Sequence, residues 1–478
     1  MPRGETYQPI AANPIHAVSE YPVSTFSIDV DTAAYANARR FLMHGQLPPP
    51  DAVRVEEMVN YFRYDYPAPT RRDTPFRTTT RLVKTPWNPD SYLLEIGIKG
   101  YEPDRQERPP ANLVFLIDVS GSMIDPDKLP LLKSGMKLLA QQLTARDRVS
   151  IVVYVGASGV ALEPTPGNDT AAIDAALDRL VADGGTAGGE GIQLAYKLAQ
   201  QAKIAGGINR IILATDGDFN IGITDPAQLK ALIEENRQHG IALSTLGFGE
   251  GNYNDALMEQ LADTGNGNYG YVDSLKEAKR LLVDQLDGTI ETIAKDVKVQ
   301  IEFNPAVIAS YRQIGYQDRA LSRADFNNDR KDAGEIGAGH TVTALYEVMP
   351  VGAPKGAIDP LRYGAVPAAA TDMTVPGRHG NEFAFLRLRY KEPEGDTSRL
   401  LEMPLLTSAL RQAGPAQAGR DFAAAVAAFG LKLRREDVVA NLSWDEISAL
   451  GQQTRGADED GTRREFLDLV ALAKGLTP

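Results

Sequence analysis

The segment Asp118-Val119-Ser120-Gly121-Ser122 places a carboxylate and two hydroxyls directly after the apolar run Leu113 to Ile117. Alternate positions of an extended turn share one side, so Asp118, Ser120 and Ser122 aim three hard oxygens at one point. Two further segments carry the same chemistry. Asp216 lies in Ala214-Thr215-Asp216-Gly217-Asp218 at the end of another apolar run, and Thr186 lies in Asp183-Gly184-Gly185-Thr186-Ala187-Gly188-Gly189. Carboxylate, hydroxyl and water oxygens are what Mg²⁺ takes in its octahedron. What remains is to bring three loops to one place.

The surrounding texture supplies a means. Strand-like runs occur at Leu113 to Ile117, Val149 to Val155, Val160 to Leu162, Arg210 to Ala214, Ile241 to Leu246 and Tyr269 to Val272. Between them lie helical stripes such as Leu132, Met136, Leu139, Leu143 and Ile173, Ala176, Leu177, Leu180. Asp225-Pro226 and Asn254 are natural helix starts. This alternation predicts an α/β fold with a central, doubly wound, mostly parallel sheet covered on both faces. Such sheets bind ligands beyond the strand carboxyl ends where chain order reverses, so the three loops converge if the first and fourth strands flank that point.

The pattern Asp-x-Ser-x-Ser, then Thr, then Thr-Asp-Gly resembles the metal-ion-dependent adhesion site of von Willebrand factor type A (VWA) domains, matching at Asp118, Ser120, Ser122, Thr186 and Asp216. The resemblance implies that the serines coordinate an ion directly, that the aspartates act largely through bound waters, and that Thr186 alternates between the two modes. The segments Phe26 to Thr32, Glu56 to Phe62, Asn252 to Asp255 and Gly337 to Glu347, with the helical C-terminal region, are similar to YfbK-type bacterial VWA proteins from about residue 20 to 475. Mg²⁺ is the expected cofactor, with Mn²⁺ and Ca²⁺ as alternatives. Two aspartates offset a divalent cation and neutral hydroxyls leave it electrophilic, so an acidic side chain of a protein partner can complete its coordination. The expectation is a metal-dependent protein-binding module, for adhesion or scaffolding, that is not an enzyme. The alternative is a phosphatase-like metal-dependent hydrolase at the same strand end, against which stands the lack of an evident general base or nucleophile.

Composition narrows the field. A length of 478 residues suggests about three domains. Lys and Arg total 50 against 63 Asp and Glu, a net charge of −13 with no basic face, which excludes nucleic acid as a partner. No apolar run approaches the ~20 residues that span a bilayer. Cysteine is absent, which excludes disulfides, thiolate zinc sites and a cysteine nucleophile. YfbK-type proteins often carry a secretion or lipoprotein leader. The resemblance therefore implies a periplasmic or cell-envelope lipoprotein with its leader removed, the lipid anchor belonging to the precursor; a cytoplasmic chain is the alternative.

The expected organisation is a flexible tail over residues 1–22, a helical and β extension over 23–110, the VWA unit over 111–289, an antiparallel β-sandwich-like module over 290–410, and a helical region over 411–478. The module is signalled by the alternation of Val297, Val299, Ile301 and Phe303, and is expected to be completed by N-terminal strands. Asp31-Thr32 reads as the cap of a helix to Met43, Asp51 as the cap of a second helix, and Ser443 to Glu446 as a capping box. Other motifs read as structural. Asp29-Val30-Asp31-Thr32 has its threonine one position early for a phosphoryl-transfer loop. Ser134-Gly135-Met136-Lys137 is a helix flank, Gly247 to Gly251 a turn, and Asp325 to Asp329 an acidic turn without the glycine and final acid of a calcium loop. The tyrosines between Tyr61 and Tyr66 read as packing at a domain junction.

Overall fold

A computed structural model describes residues 4–103, 107–155, 157–182, 191–217, 226–251, 253–354, 358, 379–417 and 421–477. The proline-studded first segment, read as a flexible tail, is strapped to the rest. Thr6 N donates to the Tyr253 carbonyl at 3.0 Å, Ile10 N to Asp51 Oδ1 at 3.1 Å, and Asn13 Nδ2 to the carbonyls of Gln313 and Gly315 at 2.9 and 2.7 Å. Its order comes from polar groups satisfied on distant elements, which leaves no apolar period in the sequence. Strand β1 (His16–Ala17) ends the strap.

Strand β2 (Val23–Ser27) leads to helices α1 (Ala33–Met43) and α2 (Val55–Asn60), then to a hairpin of β3 (Phe76–Thr85) and β4 (Asn88–Gly100). The expected caps are replaced. Thr32 makes no side-chain cap bond to α1; the Glu57 carboxylate on α2 accepts from Ala34 N at 2.7 Å instead. Asp31 accepts from Tyr269 N at 2.8 Å, and Asp51 sits in a 3₁₀ turn ahead of α2. A helix end can be satisfied by any acceptor that packing brings to it.

The central unit alternates strands and helices: β5 (Ala111–Asp118), α3 (Leu129–Ala140), β6 (Arg148–Val155), β7 (Ala157–Pro166), α4 (Thr170–Arg179), α5 (Gly191–Gln201), β8 (Ile208–Thr215), α6 (Pro226–Gln238), β9 (Ala242–Phe248), α7 (Asp255–Thr264) and β10 (Tyr269–Val272). The sheet runs β10-β9-β8-β5-β6-β7, with β5 parallel to both β6 and β8. Only β7 is antiparallel, because a single residue separates it from β6 and a parallel crossover needs a dozen or more. One face of the sheet packs Leu132, Met136, Ile173 and Leu177, the other Ile192, Leu198, Ile233 and Leu261. Helix α8 (Leu275–Lys279), a π-helical stretch Arg280–Asp284 and α9 (Leu286–Ile290) close the unit.

Strands β11 (Thr292–Phe303), β12 (Ile308–Ile314), β13 (Ile336–Gly337), β14 (Thr341–Pro350), β15 (Glu382–Lys391) and β16 (Ser398–Leu406) form two antiparallel sheets, ordered β1-β12-β14-β4-β3 and β13-β11-β15-β16, with β2 paired to β11. Ile96, Ile98, Val299, Ile301, Phe303, Tyr346 and Leu386 share the core between them. The remaining helices are α10 (Thr407–Gln412), α11 (Phe422–Leu433), α12 (Trp444–Thr454) and α13 (Thr462–Leu476), and the capping box at Ser443 and Glu446 forms as expected. They pack with α1 and α2 around Tyr35, Met58, Phe62, Phe422 and Phe466, where Tyr61, Tyr64 and Tyr66 are also buried. No described helix is long and apolar enough to cross a membrane.

Buried charge joins these parts. Arg39 of α1 donates to Asp273 Oδ2 and Oδ1 at 2.7 and 2.5 Å, to Glu277 at 2.9 Å, to Tyr61 at 2.9 Å and to Glu465 of α13 at 2.8 Å. Burial opposes ionisation of Glu277, yet Arg280 and Arg39 hold its carboxyl down at about 2. Removing one member of such a network strands the others, so Arg39→Met should cost about 3–5 kcal/mol, read as a lower urea midpoint.

His340 packs against Gly288, where a Cβ would lie 2.4 Å from its ring. Burial first, then Lys99, Arg63, Arg210 and Arg280, push its pKa down from 6.5 to about 3. Neutral His340 therefore contributes stability that is complete above the unfolded value of 6.5 and is lost as pH falls toward 3. Between pH 6.5 and 4, wild type should lose stability relative to His340→Gln by up to about 1.4 kcal/mol per pH unit, measured by denaturant unfolding.

Candidate metal centre at the strand ends

Strands β5 and β8 lie side by side with Ile117 opposite Ala214, so Asp118 and the Thr215-Asp216-Gly217 bend leave neighbouring strand ends. The first and fourth strands thus flank the reversal of chain order. Asp118 is fully buried: its Oδ1 accepts from Ser120 N and its Oδ2 from the Thr215 hydroxyl, both at 2.9 Å. The second bond ties the two loops together. Thr215 Oγ1 in turn accepts from Gly217 N at 3.2 Å. Gly217 has φ +88° and approaches Asn254 so closely that a Cβ would lie 2.6 Å from its backbone nitrogen, which excludes any side chain there.

Ser120 starts a 3₁₀ turn over Gly121–Ile124, and the Ser120 and Ser122 hydroxyl oxygens lie 2.9 Å apart. Ser120 is buried and Ser122 half-buried, so the group opens to solvent on the Ser122 side. Asp118, Ser120, Ser122 and Asp216 are brought together; Thr186 and the rest of 183–190 lie outside the described residues. Burial raises the Asp118 carboxyl above its usual range, offset by the Ser120 amide.

One residue of the site lies outside the sequence motif. Lys128 is buried, with Nζ 3.0 Å from Asp216 Oδ2 and 2.9 Å from the Ser122 carbonyl. Its stem lies over Gly249, where φ is +68° and a Cβ would come within 2.2 Å of Lys128 Cε. The turn Gly247 to Gly251 is therefore also a wall of the site. The available signal was weak: a lysine ten residues beyond Asp118, immediately before the Leu129-Pro130 helix start. Its ammonium changes the charge balance, because Asp118, Asp216 and Lys128 together carry one negative charge rather than two.

The residues fit a hard divalent cation. Their donors are carboxylate and hydroxyl oxygens alone, and one carboxylate already draws a cationic group into the site.

The other motifs go elsewhere. Asp29, Glu57 and Glu259 bring carboxylate oxygens within 4.8 Å of one another, but Arg54 and Arg319 pair with them. Ser134 bonds the Pro130 carbonyl and Lys137 the Asp178 carboxylate on a helix flank. Asp325 forms a capping box with Ser322.

Three family models match the chain: von Willebrand factor at residues 1–95, the von Willebrand factor type A domain at 112–284, and the C-terminal region of the uncharacterised protein YfbK at 288–476. The chain is 46% identical over 477 residues to the uncharacterised protein YfbK of Escherichia coli (strain K12), covering 98% of this chain and 81% of that one. It is 31% identical over 185 residues to the uncharacterised protein sll0103 of Synechocystis sp., covering 39% and 43%. A solved von Willebrand factor type A structure from Catenulispora acidiphila aligns over 82% of this chain and 89% of that chain, with 16% identity and a TM-score of 0.45.

Gly249→Ala should push Lys128 off Asp216 and strain a left-handed backbone position. The expected cost is about 1–3 kcal/mol, measured by thermal unfolding.

Proposed function

The chain belongs to the YfbK family of von Willebrand factor type A proteins, and we propose that its strand-end site holds a divalent cation, Mg²⁺ in the first instance, and through it binds an acidic side chain of a protein partner. Ser120 and Ser122 would hold the ion by their hydroxyls, with Asp118, Asp216 and Thr186 completing the set. A cation held there supplies an electrophilic centre that accepts an incoming carboxylate. The observation carrying this reading is the convergence of two buried carboxylates and two touching hydroxyls at one solvent-facing strand end.

The described polar groups of the site serve one another. Thr215 and the Ser120 amide engage Asp118, while Asp216 and the Ser122 carbonyl engage Lys128, so none is poised as a general base. That favours binding without catalysis. Two residues beyond Ser122, the exposed Ile124 lines a hollow of about 410 Å³ together with the exposed Val181, an apolar surface that a protein partner could cover. The cell-envelope location implied by the family resemblance belongs to the same proposal.

Asp118→Ala should abolish Mn²⁺ binding in calorimetric titration while a cooperative unfolding transition persists; loss of the fold would instead favour a purely structural role. Wild-type protein immobilised in Mg²⁺ should retain a partner from an envelope extract and release it to chelator. Capture indifferent to chelator would refute the reading.

A further inference from the structure

We propose that Lys128 is a resident counter-charge that makes the metal-loaded site select an anionic ligand; this rests on the metal reading above. The ammonium lies between the two loops that carry the site, 3.0 Å from Asp216 Oδ2 and 2.9 Å from the Ser122 carbonyl. It is held in place, because its stem is seated on Gly249 with no room for a Cβ. Its side chain is 7% exposed, so its field reaches the site with little solvent screening. Among the described residues Asp125 is the other carboxylate paired with it, 3.9 Å away and 61% exposed, and so offsets it far less than Asp216 does.

The charge sum then fixes the preference. Among the described residues Asp118, Asp216 and Lys128 total minus one, and a divalent cation brings that sum to plus one. A carboxylate ligand neutralises it, whereas a neutral ligand leaves an uncompensated charge in a partly buried place. Lys128 therefore weakens the hold on the cation and strengthens the hold on the anion. A site with the two aspartates alone would show the reverse balance.

The test compares full-length wild type with Lys128→Met, which keeps the length of the stem and removes the charge, and with Lys128→Gln as a second neutral variant should the first not fold. Mn²⁺ alone is titrated and free ion is read by electron paramagnetic resonance. Acetate is then added to the Mn²⁺-loaded protein, and its methyl relaxation reports binding. The neutral variant should bind Mn²⁺ about tenfold more tightly and acetate about tenfold more weakly. Equal or weaker Mn²⁺ binding by the variant, or unchanged acetate affinity, overturns the proposal. If wild type binds no Mn²⁺ but the variant does, the ammonium occupies the ion's own place and coexistence is refuted. If neither binds, the metal reading itself has failed, and this one with it.

Discussion

The guanidinium of Arg39 is the interaction on which the arrangement of the whole chain turns. From one buried position it reaches Asp273 and Glu277 at the end of the central unit, Tyr61 beside α2 and Glu465 on α13, partners 234, 238, 22 and 426 residues away. A buried ion pair adds little net stability compared with apolar packing, but it punishes any arrangement that leaves one member alone. Its effect is thus to specify how the N-terminal helices, the α/β unit and the C-terminal helices meet. Arg54 and Arg319 do the same on the α7 side, through Asp255, Glu259, Asp29 and Asp263.

That docking extends to the strand-end site. The strap pairs Thr6 with Tyr253, whose backbone and ring pack on Gly217 beside Asp216, and Glu5 receives Gly251 N at 3.1 Å. The loop after β9 is therefore pressed between the first residues of the chain and the Asp216 bend. The same loop seats Lys128. The site's geometry belongs in part to segments far outside the α/β unit.

Much of this was legible from local pattern. Continuous apolar runs alternating with 3.6-residue stripes announce a buried parallel sheet, and Asp118, Ser120, Ser122 and Asp216 carry their chemistry in residue type and spacing. The period-two alternation from Val297 to Phe303 likewise announces a strand, though not a half-buried one: Lys298 and Gln300 on its polar face are buried as well, because β2 and β15 flank it on both sides. What escaped shares one cause: it depends on partners that no sequence window contains. Glu57 satisfies the start of α1, Lys128 finds Asp216 eighty-eight residues on, and the strap is ordered by carbonyls of Gln313 and Gly315. Thr186 carries its signal in sequence but lies outside the described residues.

The pairing of β2 with β11 and of β4 with β14 has a consequence for synthesis. The N-terminal strands emerge from the ribosome long before their partners, with the whole central unit between. At about 5–20 residues per second that delay is roughly tens of seconds. During the interval β4 has only β3 beside it, and Leu94, Ile96 and Ile98 lack the sheet that later covers them. Until β14 arrives the nascent hairpin therefore carries an unfinished sheet edge, and such an edge is a template for pairing with other chains.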